Sequence, residues 1–340
     1  LIREEGCPDS LRSSIHPPTY ITFMISVVMP AYNASSFIAE AIESILNQTF
    51  QEFELLIIDD GSIDDTVEIV NRYCRQDQRV RLIQIDHAGI SHARNVGTQA
   101  SSYPWIAVMD ADDIALPKRL ETQITAAKAR PNVVAWGTYA HHISSTGTLL
   151  SLQQQGSTTE EDYEQLIRCG EIPFIIHPTA LIKKEILVEI GGYSSKFPLA
   201  VDFELFSRII HRGPVLALPE PLLLYRVHEG SASMQKFFRQ QFFAKYIVAR
   251  HQARLAGTRL PEIEEFTQHE KDLPLISKLD QRVRLGGQFL YRKAGLHVAE
   301  KHYWRGAFCL SMAIVANPIY AVPRFWNQKL SPDARQALKN

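Results

Sequence analysis

The chain has 340 residues, a formal net charge of −1, 45% apolar and 21% charged residues. That size carries one large domain, or a domain plus an extension, and the near-zero charge leaves no global field for nucleic acid or an acidic membrane. Cys7, Cys74, Cys169 and Cys309 lie far apart with no Cys-x-x-Cys pair, which argues against a disulfide framework or a thiolate zinc site and suits a reducing compartment.

Residues 1–23 begin with Leu, are rich in Pro, Ser and charge, and lack an apolar h-region, so they do not read as a signal peptide. Met24 directly precedes the first strand pattern and is the expected natural start. Residues 1–23 are then an extension, disordered or added for expression.

Ile25 to Met29 is a short β-branched run ended by Pro30, which predicts a buried strand. Ile38, Ala41, Ile42, Ile45 and Leu46 recur at helical spacing between Ser36 and Gln48. Phe53 to Ile58 predicts a second strand, stopped by Asp59-Asp60-Gly61-Ser62. The next helix has Asp65 and Glu68 placed as a capping pair, with Val67, Val70 and Tyr73 on its buried face. Val80 to Ile85 predicts a strand, Ser91 to Ala100 a helix, and Trp105 to Met109 a strand. Leu116-Pro117 opens a further helix with Leu120, Ile124 and Ala127 on one face. Beyond it, Asn132 to Ser157 reads as strands and a loop, and Ile175 to Lys183 as a strand. Lys184 to Ile190 is a short helix stopped by Gly191-Gly192, Phe203 to Ile210 a helix, and Pro221 to Val227 a strand. From about Ser233 the pattern is helical.

Strands alternating with helices predict an α/β fold with a mostly parallel sheet flanked by helices, plus a helical C-terminal extension. Ligands of such sheets bind beyond the carboxyl ends of the strands. Pro30-Ala31-Tyr32-Asn33, Asp59-Asp60-Gly61-Ser62 and Asp110-Ala111-Asp112-Asp113 are then expected along one rim.

The acidic cluster puts three carboxylates in four residues at a strand end. Such a group either surrounds a divalent cation, Mg²⁺ or Mn²⁺ shared with substrate phosphates, or is a solvated turn capping the next helix. Asp60 could take a ribose hydroxyl or a base N–H, or belong to a turn in which Gly61 supplies positive φ. Tyr32 could stack on a base, or belong to a rigid turn. The glycines of a dinucleotide fingerprint and of a P-loop are both missing.

In combination these segments resemble family 2 glycosyltransferases with the Rossmann-like GT-A fold. Ser26 to Asn33, Ala41 to Phe50, Glu54 to Thr66, Ala93-Arg94-Asn95-Val96-Gly97 and Asp110 to Asp113 carry the resemblance, which covers roughly residues 25–232. It implies a nucleotide-sugar-dependent, inverting, hexosyltransferase-like enzyme. Tyr32 takes the place of the strand-end aromatic, Asp60 of the base-contacting Asp, and Pro30 of a backbone position near the base. Asp112 is the implied direct metal ligand, supported by Asp110, with Asp113 beside the sugar and ribose. Arg94 and Asn95 lie near the donor. Asp202 is the implied general base, although Val201 stands where many members have Glu, and Glu204 is the fallback. Without the resemblance Asp202 reads equally well as a helix cap.

Tyr225-Arg226-Val227-His228 resembles a family segment in which His228 completes the metal shell or touches the diphosphate, and Arg226 does the latter. A surface His in a loop is the alternative. His177-Pro178-Thr179 reads as ordinary loop packing. The implied organisation is a catalytic domain over 24–232, with a donor-binding half at 24–130 and an acceptor half at 131–232, and a helical region over 233–340.

The donor is expected to be a UDP-, GDP- or dTDP-sugar and the acceptor a saccharide or lipid-linked saccharide, in polysaccharide, lipopolysaccharide or other glycoconjugate synthesis. A sugar-nucleotide-binding protein without activity and an Asp-x-Asp phosphohydrolase are the other readings. The hydrolase wants its aspartates after the first strand, where Pro30 and Tyr32 stand.

Tyr291 to Pro318 reads as one helical hairpin of the tetratricopeptide kind. Gly306 to Pro323 is uncharged but broken by Asn317, Pro318 and Pro323, so a continuous membrane span is not expected. Peripheral contact at the cytoplasmic face could use Arg250, Arg254, Arg282, Arg284, Arg292 and Lys293. A buried helix with solvated basic faces is the alternative.

Overall fold

The structure, a computed structural model, describes residues 23–228 and 232–326. The expected N-terminal extension lies outside the described residues, Phe23 excepted.

The first half is a parallel α/β unit. Strand β1 (Ile25–Ala31) pairs in parallel with β2 (Phe53–Asp59) and β4 (Trp105–Val108), and β2 with β3 (Val80–Gln84). Helices α1 (Ile38–Leu46), α2 (Thr66–Gln76) and α3 (Ile90–Ala100) form the crossovers. Every residue of β1, β2 and β4 is buried. Strands covered on both faces read as continuous apolar runs, which is why their sequence was distinctive. At Gly97 a Cβ would collide with Val28, so only glycine lets α3 lie this close to β1.

Pro30 lies inside β1 instead of ending it. Ala31 O accepts from Asp60 N on the β2 side, and Val28 O accepts from Met109 N on the β4 side. Pro30 therefore faces the β4 side, beyond Val28–Val108, the last pair of that ladder, where its missing N–H removes no strand bond.

The second half is mixed. Strands β5 (Ile114–Ala115), β6 (Ala135–Ile143), β7 (Leu149–Gln153), β8 (Leu181–Lys183) and β9 (Val215–Arg226) complete a nine-stranded sheet ordered β3-β2-β1-β4-β8-β6-β9-β5, with β7 on β6. β6 and β9 are parallel, whereas β8 runs antiparallel to both β4 and β6, and β5 to β9. The parallel character is thus concentrated in the first half. Helices α4 (Arg119–Ala129), α5 (Glu160–Arg168), α6 (Lys184–Glu189) and α7 (Val201–Ile209) complete this half.

Several expectations shift. The strand expected over Ile175 to Lys183 is a 3-10 turn at His177–Thr179 followed by β8, because Pro178 cannot donate to a ladder. Asp65 makes no side-chain cap on α2. Asp64 does the work one residue earlier, accepting from Thr66 N at 3.0 Å and Ser35 N at 3.1 Å.

The C-terminal region comprises α8 (Ala232–Gln235), α9 (Phe237–Leu255), α10 (Ile263–Asp272), α11 (Leu275–Ala299), α12 (Tyr303–Ala316) and α13 (Pro318–Phe325). The expected hairpin is α11 against α12. Gly306 permits it, since a Cβ there would meet Val298 Cγ2 at 2.7 Å. Among the described residues no helix is long and apolar enough to cross a membrane.

Candidate active site

The loops at the carboxyl ends of the strands meet, and they bind one another directly. Asn33 Oδ1 accepts from Ile63 N at 2.9 Å, and Asn33 N donates to Ser62 Oγ at 2.9 Å. Ala34 N donates to Thr66 Oγ1 at 2.8 Å. Asp64 belongs to the same lacing. Burial works against its charge, but the hydrogen bonds from Thr66 and Ser35 outweigh it and hold its pKa at about 2.

Tyr32 is half exposed and stacks on His87, with ring centroids 4.3 Å apart. Asp60 lies beneath them, only 3% exposed. Its carboxylate accepts from Ala88 N at 2.8 Å and Gly89 N at 3.0 Å, and His87 Nδ1 is 3.0 Å from Oδ2. Asp60 thus fastens the loop after β3, and little of its lone-pair capacity is left for a base or ribose.

The acidic cluster follows β4. β5 sits directly after it and pairs antiparallel with β9 in the register Ile114–Leu224. Continuing that register two residues sets Asp112 against Arg226, and the pairing is what brings the end of β9 to the cluster. Arg226 is 3% exposed and holds the assembly from behind. Its Nε donates to Asp112 O at 2.7 Å, Nη1 to Ser145 O at 3.0 Å and Nη2 to Glu40 Oε2 at 2.6 Å, while its backbone N donates to Asp113 Oδ1 at 2.8 Å. The guanidinium also lies 4.7 Å over the Phe37 ring. So engaged, Arg226 ties the cluster to the end of β9.

Asp113 is 1% exposed and accepts from Arg226 N. Asp112 is the outward member, a third exposed, with Oδ2 3.3 Å from His228 Nε2. Asp110 Oδ1 accepts from Arg94 Nη2 at 2.7 Å.

Negative charge exceeds what the surrounding cations balance. Burial, helped by Asp112 and Asp202 and opposed by Arg94, raises the Asp110 pKa above the ordinary carboxylate value. Burial beside Asp112 and Asp110 holds Asp113 well above it, and Asp113 Oδ2 is buried without a hydrogen-bond partner. Added positive charge at this cluster would offset that repulsion. Asp112 and His228, one carboxylate and one imidazole 3.3 Å apart, are of the ligand types that a divalent ion shared with substrate phosphates takes, while Asp110 is engaged by Arg94.

Arg119, unremarked in the sequence, is the cation below. It is fully buried, donates from Nη2 to Val108 O at 2.7 Å, and burial pushes its pKa down to about 10 against the pull of Asp113 and Asp110. Helical periodicity carried no signal for it, since an arginine in a first helical turn reads as solvated. His87 could have been found. It stands in Asp86-His87-Ala88-Gly89, a polar stop after β3 of the same kind as the three that were noticed.

Asn95 is placed on structural duty. Its Nδ2 donates to Tyr193 O at 2.8 Å and its Oδ1 accepts from Tyr193 N at 2.7 Å, just after the left-handed pair Gly191-Gly192. Tyr193 is buried against Arg94, whose guanidinium lies 5.5 Å from the ring centroid, and burial pushes its phenol up to about 12. His177 is buried with Nε2 3.0 Å from the Tyr193 hydroxyl, and burial next to Arg94 holds it well below its usual pKa. The loop packing expected of His177 is its setting.

Asp202 occupies the first turn of α7, after Ala200 in a left-handed conformation with φ 55°. Its charge bears on Arg94, Asp110 and Tyr193. Among the described residues its carboxylate has no hydrogen-bond partner. Glu204 differs, binding Arg208 through Oε1 at 2.8 Å and Oε2 at 2.6 Å. That bidentate pair engages both carboxylate oxygens of Glu204.

Residues 26–191 match the Glycosyl transferase family 2 domain. The chain is 33% identical over 218 residues to the O-antigen biosynthesis glycosyltransferase WbnJ of Escherichia coli, covering 61% of this chain and 81% of that protein. It is 28% identical over 229 residues to glycosyltransferase GlyG of Streptococcus pneumoniae, covering 63% and 74% of the two chains. In three dimensions it resembles S. aureus TarS 1-349 solved with UDP, with a TM-score of 0.54 at 15% identity over 91% of this chain and 93% of the other, a likeness of fold. Sequence match across most of a relative's length and the shared architecture agree: the chain belongs to glycosyl transferase family 2 and is a glycosyltransferase.

Proposed function

We propose that the enzyme transfers a sugar with inversion from a UDP-, GDP- or dTDP-sugar to a hydroxyl of a saccharide or lipid-linked saccharide acceptor, in glycoconjugate synthesis. The observation that carries the reading is Asp202, partly exposed in the first turn of α7 and close enough for its charge to act on Arg94 and Asp110 of the acidic cluster. The acceptor oxygen forms the new bond to the anomeric carbon as the bond to the diphosphate breaks, and its proton passes to Asp202. Arg94, tied to Asp110, keeps that carboxylate in place and adds positive charge behind it. Tyr32, backed by His87, offers its open face to the base, at the mouth of the cleft beside Pro30. Asp60 keeps the loop under this platform in shape. Asp112 and His228, with Asp110 beside them, would hold a divalent cation, which would supply Lewis-acid stabilisation of the departing diphosphate.

Calorimetric titration with UDP, GDP and dTDP, with and without Mn²⁺, tests the donor side. One nucleotide is expected to bind in a metal-dependent way. Failure of all three to bind with metal present would sink the reading.

The C-terminal helices favour contact with an anionic membrane surface on the cytoplasmic side. Trp304, Phe308, Val315 and Ile319 recur along α12 and α13 and are 90%, 67%, 78% and 79% exposed. Arg305 in α12 and Arg324 in α13 are also exposed, on the same two helices. The protein is expected to sediment with phosphatidylglycerol vesicles and not with phosphatidylcholine vesicles. Remaining in the supernatant with both overturns the contact.

A further inference from the structure

A second group of metal-ligating side chains sits far along the chain from the acidic cluster, at the turn between α11 and α12. His297 lies in the last turn of α11, Glu300 ends that helix, and His302 precedes α12. One ligand atom from each lies within 4.8 Å of the other two. His302 Nδ1 is 3.5 Å from Glu300 Oε2, and His297 Nδ1 is 3.9 Å from the same oxygen. Neither separation is a good hydrogen bond. His297 is 8% exposed, and its Nδ1 is buried with no hydrogen-bond partner. A buried imidazole nitrogen left unpaired beside a carboxylate and a second imidazole is costly unless something else binds it.

The backbone holds the three in register. His302 N donates to His297 O at 2.8 Å and Lys301 N to Val298 O at 3.1 Å, with Lys301 left-handed at φ 63°. This is the paired hydrogen-bond pattern that closes a helix through a left-handed residue. It returns the chain on itself so that His302 comes back over His297, the rings 6.2 Å apart. The negative end of the α11 dipole points into the same turn and favours a cation there. Nitrogen and carboxylate ligands of a tetrahedral ion stand about 2.0–2.2 Å from the metal, so small side-chain rotations suffice to gather these atoms.

We propose that His297, Glu300 and His302 form a binding site for a borderline divalent cation of the Zn²⁺ type, which clips the α11–α12 hairpin at its turn. Two imidazoles and one carboxylate suit Zn²⁺ better than Mg²⁺ and leave a fourth position for water. The role is structural, since the ion fastens the last turn of α11 to the start of α12.

The test uses the full chain, stripped with a chelator and titrated with Zn²⁺ alone. Wild type is expected to take up one more equivalent than Glu300→Gln or His302→Ala, each of which should lose at least about 100-fold in affinity at this site. Both residues are at the surface, so the metal-free variants should melt with metal-free wild type, and Zn²⁺ should raise the melting temperature of wild type alone. Asp112→Asn should keep the equivalent, which separates the turn from the acidic cluster. Identical titrations for wild type and both turn variants, or loss of the equivalent in Asp112→Asn with retention in His302→Ala, overturn the proposal.

Discussion

Asp202→Asn is expected to bind the donor nucleotide as wild type does while transfer falls about 10²–10⁴-fold, the range a positioned general base contributes. Asparagine fills the same space at the first turn of α7 and removes the negative charge together with the proton-accepting capacity. Because Asp202 has no hydrogen-bond partner among the described residues, the substitution breaks no contact, and the melting temperature should not move. The charge lost does bear on Asp110, where Asp202 adds to the repulsion, so metal-dependent donor binding should hold or tighten slightly. Glu204→Gln behaves differently, because it releases one side of the pair with Arg208, which also donates to Ile190 O at 2.7 Å and Gly192 O at 2.8 Å. It should destabilise without selectively removing the chemical step. Single-turnover transfer measured beside nucleotide titration checks both. Wild-type turnover in Asp202→Asn would assign the proton transfer to another group.

Arg226→Leu is expected to lower stability by about 3–5 kcal/mol, the effect of breaking a buried charge-assisted network from one side. Leucine leaves the carbonyls of Asp112 and Ser145 without this donor, while Ser144 O keeps Gly147 N, and an orphaned buried acceptor costs about 1–3 kcal/mol. It also uncovers the face of Phe37. Glu40 contributes little, because its side chain is 57% exposed and returns to water. Arg226→Lys should recover part of the loss, since an ammonium reaches some of these acceptors but cannot fork between them. Urea denaturation of the two variants and of Glu40→Gln ranks the contributions. Equal midpoints for Arg226→Leu and wild type would show that the network is not what holds the cluster to β9.

The parallel half of the fold was legible because its strands are covered on both faces and must be apolar throughout, as in Leu55-Leu56-Ile57-Ile58. The later strands were legible only in part, as between Asn132 and Ser157 and at the end of β9. β9 begins at Val215, but Pro219 and Pro221 hide its first half, and they sit where the pairing with β6 slips between Thr138 and Ala140. A bulge accepts prolines that a regular ladder refuses, and a local pattern cannot reveal the slip. Helix α5 escaped notice because Tyr163 is its only buried residue, although Thr159 caps it at Asp162 N. In the site, acidic residues at strand ends announced themselves. The partners that decide what each carboxylate can do, Arg119 under Asp113, Arg226 behind Asp112 and His87 against Asp60, come from elements that only tertiary packing brings together. Asp113 and Asp60 read in sequence as ligand contacts, and in the structure both are buried and accept from neighbouring backbone N–H groups.

The lacing of the first two strand-end loops, Asn33 to Ser62 and Ile63, Ala34 to Thr66 and Ser35 to Asp64, affects the thermodynamics of donor capture. A loop that must be ordered by its ligand subtracts that conformational entropy from the affinity, about 0.5–1.5 kcal/mol for each side chain immobilised. Here the floor beneath Tyr32 is rigid before any nucleotide arrives. Binding free energy is then left over for holding the reacting groups in line.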